Sequence, residues 1–127
     1  MLLQSEMEDD LEKLLQRDRQ LARIHESTDF GDSSSVGHAN NAANEMARIC
    51  RRISAEARGL DAFITLLDEP TAKIQLWAAH HLLEHTHYSE LMETKALEII
   101  KLYSQGDEAD AYGERLWLKD WEAKRNQ

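Results

Sequence analysis

The residues best placed to do chemistry are histidines: His80, His81, Glu84, His85 and His87 fall within eight positions of one another. His81-Leu82-Leu83-Glu84-His85 follows the H-x-x-E-H order of one class of zinc protease. On a helix, His81 and His85 are four apart and share a face, as two zinc ligands would. A catalytic zinc also needs a third protein ligand and an open coordination position. Proteases of that class are much larger than 127 residues. Ile74, Trp77, Ala78, His81 and His85 fall on one side of the same helix, which reads as a packing face. His81, His85 and His87 are therefore weak metal candidates, and no cofactor is expected.

Other chemistry finds little support. There is no Gly-x-Ser-x-Gly, and Gly31 and Gly37 lack the spacing of a phosphate-binding loop. Cys50 is the only cysteine, so no intramolecular disulfide can form and nothing points to an oxidising compartment. It lies on an apolar helix face, where a thiol acts as a small core residue. Catalytic residues are not expected, and the chain reads as a non-enzyme.

The elements that would position these residues are helices. There is one proline, five glycines and an abundance of Ala, Leu, Glu, Lys, Arg and Gln. Periodicity predicts six helices in one domain spanning residues 1–127. The first, over 6–25, carries Met7, Leu11, Leu14, Leu15, Leu21, Ala22 and Ile24 on its stripe. Its acids at Glu6, Glu8, Asp9, Asp10 and Glu12 would sit at the positive end of the dipole. A loop over 27–37 follows, rich in serine and glycine. The second helix covers 38–57 with Ala42, Met46, Ile49, Cys50 and Ile53 inward, and Gly59 reads as its stop signal. A short third helix covers 60–67. Pro70 opens the fourth, which runs to residue 85. Ser89 caps the fifth, which reaches 102 or 103. The sixth covers 108–124 with Tyr112, Leu116, Leu118 and Trp121 as core candidates. Trp77 reads as core too, and Trp117 is the tryptophan left for an interaction surface.

The net charge is −9, with 42% hydrophobic and 31% charged residues. An acidic field repels phosphate backbones and anionic lipid, so nucleic acid and membranes are poor direct partners and a basic protein is a better one. Arg48, Arg51, Arg52 and Arg58 form a local basic patch that reads as pairing with the acidic excess. No signal peptide and no stretch near the roughly 18 apolar residues of a membrane span is legible, which predicts a cytoplasmic protein.

The stretch Leu66-Leu67-Asp68-Glu69-Pro70-Thr71-Ala72-Lys73-Ile74-Gln75-Leu76-Trp77-Ala78-Ala79-His80-His81-Leu82-Leu83 resembles a HEAT repeat: a leucine pair, an Asp-x-Pro corner, then an aliphatic residue, a small-residue pair and leucines. Gln75 departs from it, since these repeats often carry arginine there. A second pair would use Ala96-Leu97-Glu98-Ile99-Ile100 and Glu114-Arg115-Leu116-Trp117-Leu118-Lys119-Asp120-Trp121. The resemblance implies an all-α fold with antiparallel pairs at about 60–85 and 89–124, capped by two N-terminal helices. With Trp77-Ala78-Ala79-His80 and the ending Leu116-Trp117-Leu118-Lys119-Asp120-Trp121-Glu122, residues 38–124 are similar to a family of small bacterial HEAT-like domains of unknown function. Such proteins resemble the immunity partners of polymorphic and contact-dependent toxins.

That resemblance implies a cytoplasmic protein that neutralises a cognate, basic toxin by contact. The candidate contact residues are the acids Glu8, Asp9, Asp10, Asp29, Asp32, Asp107, Glu108 and Asp110, together with Trp117. A HEAT-like adaptor without a toxin partner is the alternative, and a metal enzyme built on His81, Glu84 and His85 the third reading.

Overall fold

The computed structural model describes residues 2–28, 31–107 and 109–125, with the side chains of 2–8 left aside. Among the described residues the chain is all α-helix and short 3-10 turns, with no strand. The helices are α1 (Leu2–Glu26), α2 (Ser33–Ile53), α3 (Ala57–Phe63), α4 (Ile74–His85), α5 (Glu90–Ser104) and α6 (Ala109–Arg125). Two 3-10 turns, Ile64–Asp68 and Thr71–Lys73, flank the corner at Pro70.

The six-helix expectation holds, but its borders shift where tertiary packing competes with local signals. The first helix starts at Leu2, so the acids from Glu6 onward lie beyond its first turn rather than at its positive end. The loop expected over 27–37 is shorter, because α2 already begins at Ser33. Asp32 accepts a hydrogen bond from the Ser34 amide at 3.1 Å and caps that helix. Ala39, within the next turns of the same helix, is already buried.

The second helix ends at Ile53, not at 57, and Gly59 is no stop signal. It lies inside α3, where a Cβ would stand 1.8 Å from the Ile53 carbonyl oxygen. Only glycine lets α3 cross the end of α2 this closely. The expected third helix over 60–67 divides into the end of α3 and the first 3-10 turn. Pro70 precedes the second 3-10 turn rather than opening α4. Ser89 caps α5 as expected, its hydroxyl accepting from the Met92 amide at 3.3 Å.

Side-chain pairings give the topology. Asp10, Leu11 and Leu14 meet Arg52 and Ile53 around one hollow, and Arg17 pairs with Glu45, so α1 and α2 form an antiparallel hairpin. Gln75 Nε2 donates to the Tyr103 hydroxyl at 3.0 Å, which sets the start of α4 beside the end of α5. Thus the glutamine that departs from the HEAT pattern joins those two helices. Arg125 pairs with Glu93 at 2.7 Å, and Arg115 donates to the Ser104 carbonyl at the end of α5 at 2.7 Å, so α5 and α6 are also antiparallel.

Helix α4 is the centre. Ile74, Leu76, Ala78, Ala79, His81, Leu82 and Leu83 are buried all round it rather than along one stripe. Phe63, Leu66, Met46, Leu21 and Ile100 complete the core, each contributing about 1.5–3 kcal/mol by burial. Helix α6 is peripheral. Of its residues only Ala111 is buried. Tyr112 and Leu116, expected in the core, are 60% and 50% exposed, because α6 packs chiefly against α5 and these two side chains lie off that contact. Leu118 and Trp121 pack partly against the core, as do Trp77 and Trp117.

Candidate functional site

The histidines stay neighbours, with the His81 and His85 rings 5.8 Å apart and Glu84 4.0 Å from His80 and 3.9 Å from His85, but each ring has a different principal partner. His80 Nε2 lies 2.6 Å from a Glu114 carboxylate oxygen on α6. His81 turns inward beside Trp77, at 5.6 Å between ring centroids, and its Nδ1 has no hydrogen-bond partner. Burial pushes its pKa down to about 4, which keeps the ring neutral. His85 faces Arg51 of α2, whose guanidinium nitrogen is 3.5 Å from Nδ1. His87 is exposed. Among the described residues no group of three His, Cys, Asp or Glu side chains is arranged to hold a metal ion. The guanidinium beside His85 would oppose a cation there in any case.

The candidate contact residues divide between distant places. Asp9 and Asp10 are exposed near the start of α1, with Arg52 and Arg58 close to Asp10. The side chain of Glu8, and Asp29 and Glu108 altogether, lie outside the described residues. Asp32 is exposed and caps α2. Asp107 and Asp110 are exposed around the start of α6. Fifteen residues of helix, about 22 Å at 1.5 Å per residue, separate Asp10 from His25 at the other end of α1. Trp117 stacks on Trp121 at 5.3 Å and meets His80 edge-on at 4.6 Å.

One place gathers several of these groups: the cleft between the corner before α4, the end of α1 and the start of α6. Two hollows of about 400 Å³ each share Lys73, Leu76, Asp110 and Glu114. Gln75, Leu102, Tyr103 and Asp107 line the first, and His25, Glu26 and Trp77 the second. Lys73 pairs with Asp110 across the cleft. His25 stands edge-on to Trp77 at 4.7 Å. Burial lowers the His25 pKa against the pull of Asp110, so this ring is neutral near pH 7.

Ala72 and Lys73 both take the left-handed backbone, at φ 52° and 56°. Such residues cost about 1–2 kcal/mol each when not glycine. The Lys73 amide donates to the Pro70 carbonyl at 3.2 Å, and the Gln75 amide to the Glu69 carbonyl at 2.8 Å. Those bonds hold the corner in its strained form and fix the root of the Lys73 side chain.

Sequence reasoning missed the partners of this cleft and one further group. Asp18 is 1% exposed, and its Oδ1 accepts no hydrogen bond. Burial raises its pKa to about 7, only partly offset by Arg19. The signal was present in the spacing, since Asp18 falls on the apolar stripe between Leu14 or Leu15 and Leu21 or Ala22. Cys50, close enough to feel the Asp18 charge, is fully buried, and burial pushes its thiol up to about 12. An unreactive core thiol fits that setting.

Comparison with protein-family models, curated proteins and solved structures finds no match to this chain. Among the described residues no helix is long and apolar enough to cross a membrane.

Proposed function

We propose that the chain is an immunity protein, which binds a cognate, basic toxin in the cytoplasm and blocks it by contact without catalysis of its own. On this reading the α3–α4 and α5–α6 pairs are HEAT-like units capped by α1 and α2, and the outer units present the binding face. One observation carries the reading. Leu102, 62% exposed, lines the cleft together with Asp107 and Asp110, and Tyr112 and Leu116 add 60% and 50% exposed apolar side chains elsewhere on α6. Apolar side chains at the edge of an acidic cleft suit a partner whose contact face is basic around an apolar centre. The net charge of −9 speeds encounter with such a partner and repels nucleic acid.

The test is a pull-down with the tagged protein at low and high salt, read by mass spectrometry. The expected result is one basic partner in near-equal amount, released by salt, whose toxic activity the protein suppresses. A stoichiometric partner without toxic activity would replace this reading with the adaptor. No stoichiometric partner at either salt would overturn it.

A further inference from the structure

We infer that the cleft between the Ala72–Lys73 corner and the first turns of α6 is a receptor for an arginine or lysine side chain of the protein partner, with Lys73 as the resident cation that the incoming group displaces. The inference deepens the binding role proposed above and rests on it only for the identity of the partner.

Three features of the cleft carry it. The first is continuity. The two hollows share Lys73, Leu76, Asp110 and Glu114, so the Lys73–Asp110 pair crosses what is otherwise one cleft. Its side chains are 33% and 69% exposed. Ion pairs this open to water hold little free energy, so exchanging one cation for another at Asp110 is cheap.

The second is charge. Glu26, Asp107, Asp110 and Glu114 line the cleft against one lysine, since His25 is neutral near pH 7. Glu114 also meets His80, and Asp110 is the carboxylate that holds Lys73 where the two hollows adjoin. A small anion or a nucleic-acid phosphate would meet repulsion here. A metal ion would find no set of three ligands among the described residues.

The third is shape. Leu76, Trp77, Leu102 and Tyr103 give the cleft apolar walls beside its carboxylates. Arginine and lysine match that mixture, with an apolar stem under a charged head. Arginine fits better, because its planar group stacks on aromatic rings and bonds a carboxylate with two parallel N–H donors.

The test uses a defined probe, the capped tripeptide acetyl-Leu-Arg-Leu-amide, titrated into the whole protein and followed by amide NMR shifts. The neutral isostere with citrulline in place of arginine is the control. The expected result is saturable shifts centred on residues 73, 76, 110 and 114, with the arginine peptide about tenfold tighter than the citrulline one. Asp110→Asn weakens arginine-peptide binding. Lys73→Gln strengthens it by removing the competitor, whereas Lys119→Gln, away from the cleft, leaves it unchanged. Unaltered amide spectra elsewhere confirm that each variant is folded. Equal binding of both peptides, shifts centred elsewhere, or weaker binding by Lys73→Gln would overturn the inference. A toxin captured with unchanged affinity by Asp110→Asn would sink the cleft and leave the immunity reading standing. Peptide binding as expected, with no protein partner in the pull-down, would do the reverse.

Discussion

The Arg19 guanidinium on α1 donates three hydrogen bonds to the Glu69 carboxylate, at 2.9, 3.0 and 2.9 Å, across fifty residues of sequence. Glu69 stands just before the corner, and its carbonyl accepts from Gln75 at 2.8 Å. One residue thus fastens the corner twice, by side chain to α1 and by main chain to α4. The Lys73–Asp110 pair sits downstream of that anchor, so the shape of the cleft depends on a contact to the far N-terminal hairpin.

Breaking this anchor should be costly for a polar contact near the surface. The two side chains are 16% and 31% exposed, and charge-assisted bonds in such settings contribute about 1.5–3 kcal/mol. Glu69→Gln and Arg19→Ala should each lower stability by about that much in urea unfolding. The double mutant should lose less than the two single losses added together, with a coupling of about 1 kcal/mol or more. Strict additivity would show that the pair is a passive surface contact.

Asp18 gives the protein an unusual pH dependence. Its folded-state pKa, raised by burial from 3.8 to about 7, means that the folded protein binds the proton more tightly than the unfolded chain. This group's contribution is therefore fully present below about pH 4 and lost as pH rises through 7. Asp18→Asn should match the parent near pH 4 and exceed it by ~2–4 kcal/mol at pH 8, since each pKa unit is worth about 1.4 kcal/mol. Denaturant melts at the two pH values read this out. Equal stability of parent and variant at pH 8 would mean that Asp18 is solvated.

His81 tilts the profile the other way. Burial lowers its folded-state pKa from 6.5 to about 4, with His85, His80 and Arg51 adding to the effect. Its contribution is present above pH 6.5 and lost as pH falls toward 4. His81→Leu should therefore reduce the acid-side loss by up to about 3 kcal/mol. It also removes the unpartnered Nδ1 from the interior. Between pH 4 and 6.5 the slopes from Asp18 and His81 oppose each other. The two single variants should skew the stability profile in opposite directions, which a series of melts across that interval checks.

Two glycine substitutions separate close approach from helix propensity. Gly59→Ala places a methyl group 1.8 Å from the Ile53 carbonyl, so α3 must move off the end of α2. A loss of about 3 kcal/mol or more is expected. Gly37→Ala in α2 meets nothing within 4 Å and should instead stabilise by about 0.5–1 kcal/mol through helix propensity. Thermal melts of the two variants should move in opposite directions.

Helix class and number were legible because they follow from composition and the 3.6-residue repeat, which hold for any tertiary arrangement. The Ser89 cap and the inward placement of Met46, Ile49, Cys50 and Ile53 followed the same way. Part of the candidate site was legible too. Asp107 and Asp110 were named for their exposed acidity, and both line the cleft. Lys73, His25, Trp77 and Glu26 were not, since their meeting depends on α1, α4 and α6 converging.

By itself, then, the sequence determined an acidic, all-helical chain without disulfides, because charge, cysteine number and residue periodicity are local properties. The tertiary structure decided the rest: that Gly59 serves a helix crossing instead of ending a helix, that Tyr112 and Leu116 face outward, and that His80 and His85 take partners on different helices, Glu114 and Arg51. Each of these depends on which second helix stands opposite a given face. A helical stripe specifies that it must be covered, whereas only the packed chain specifies by what.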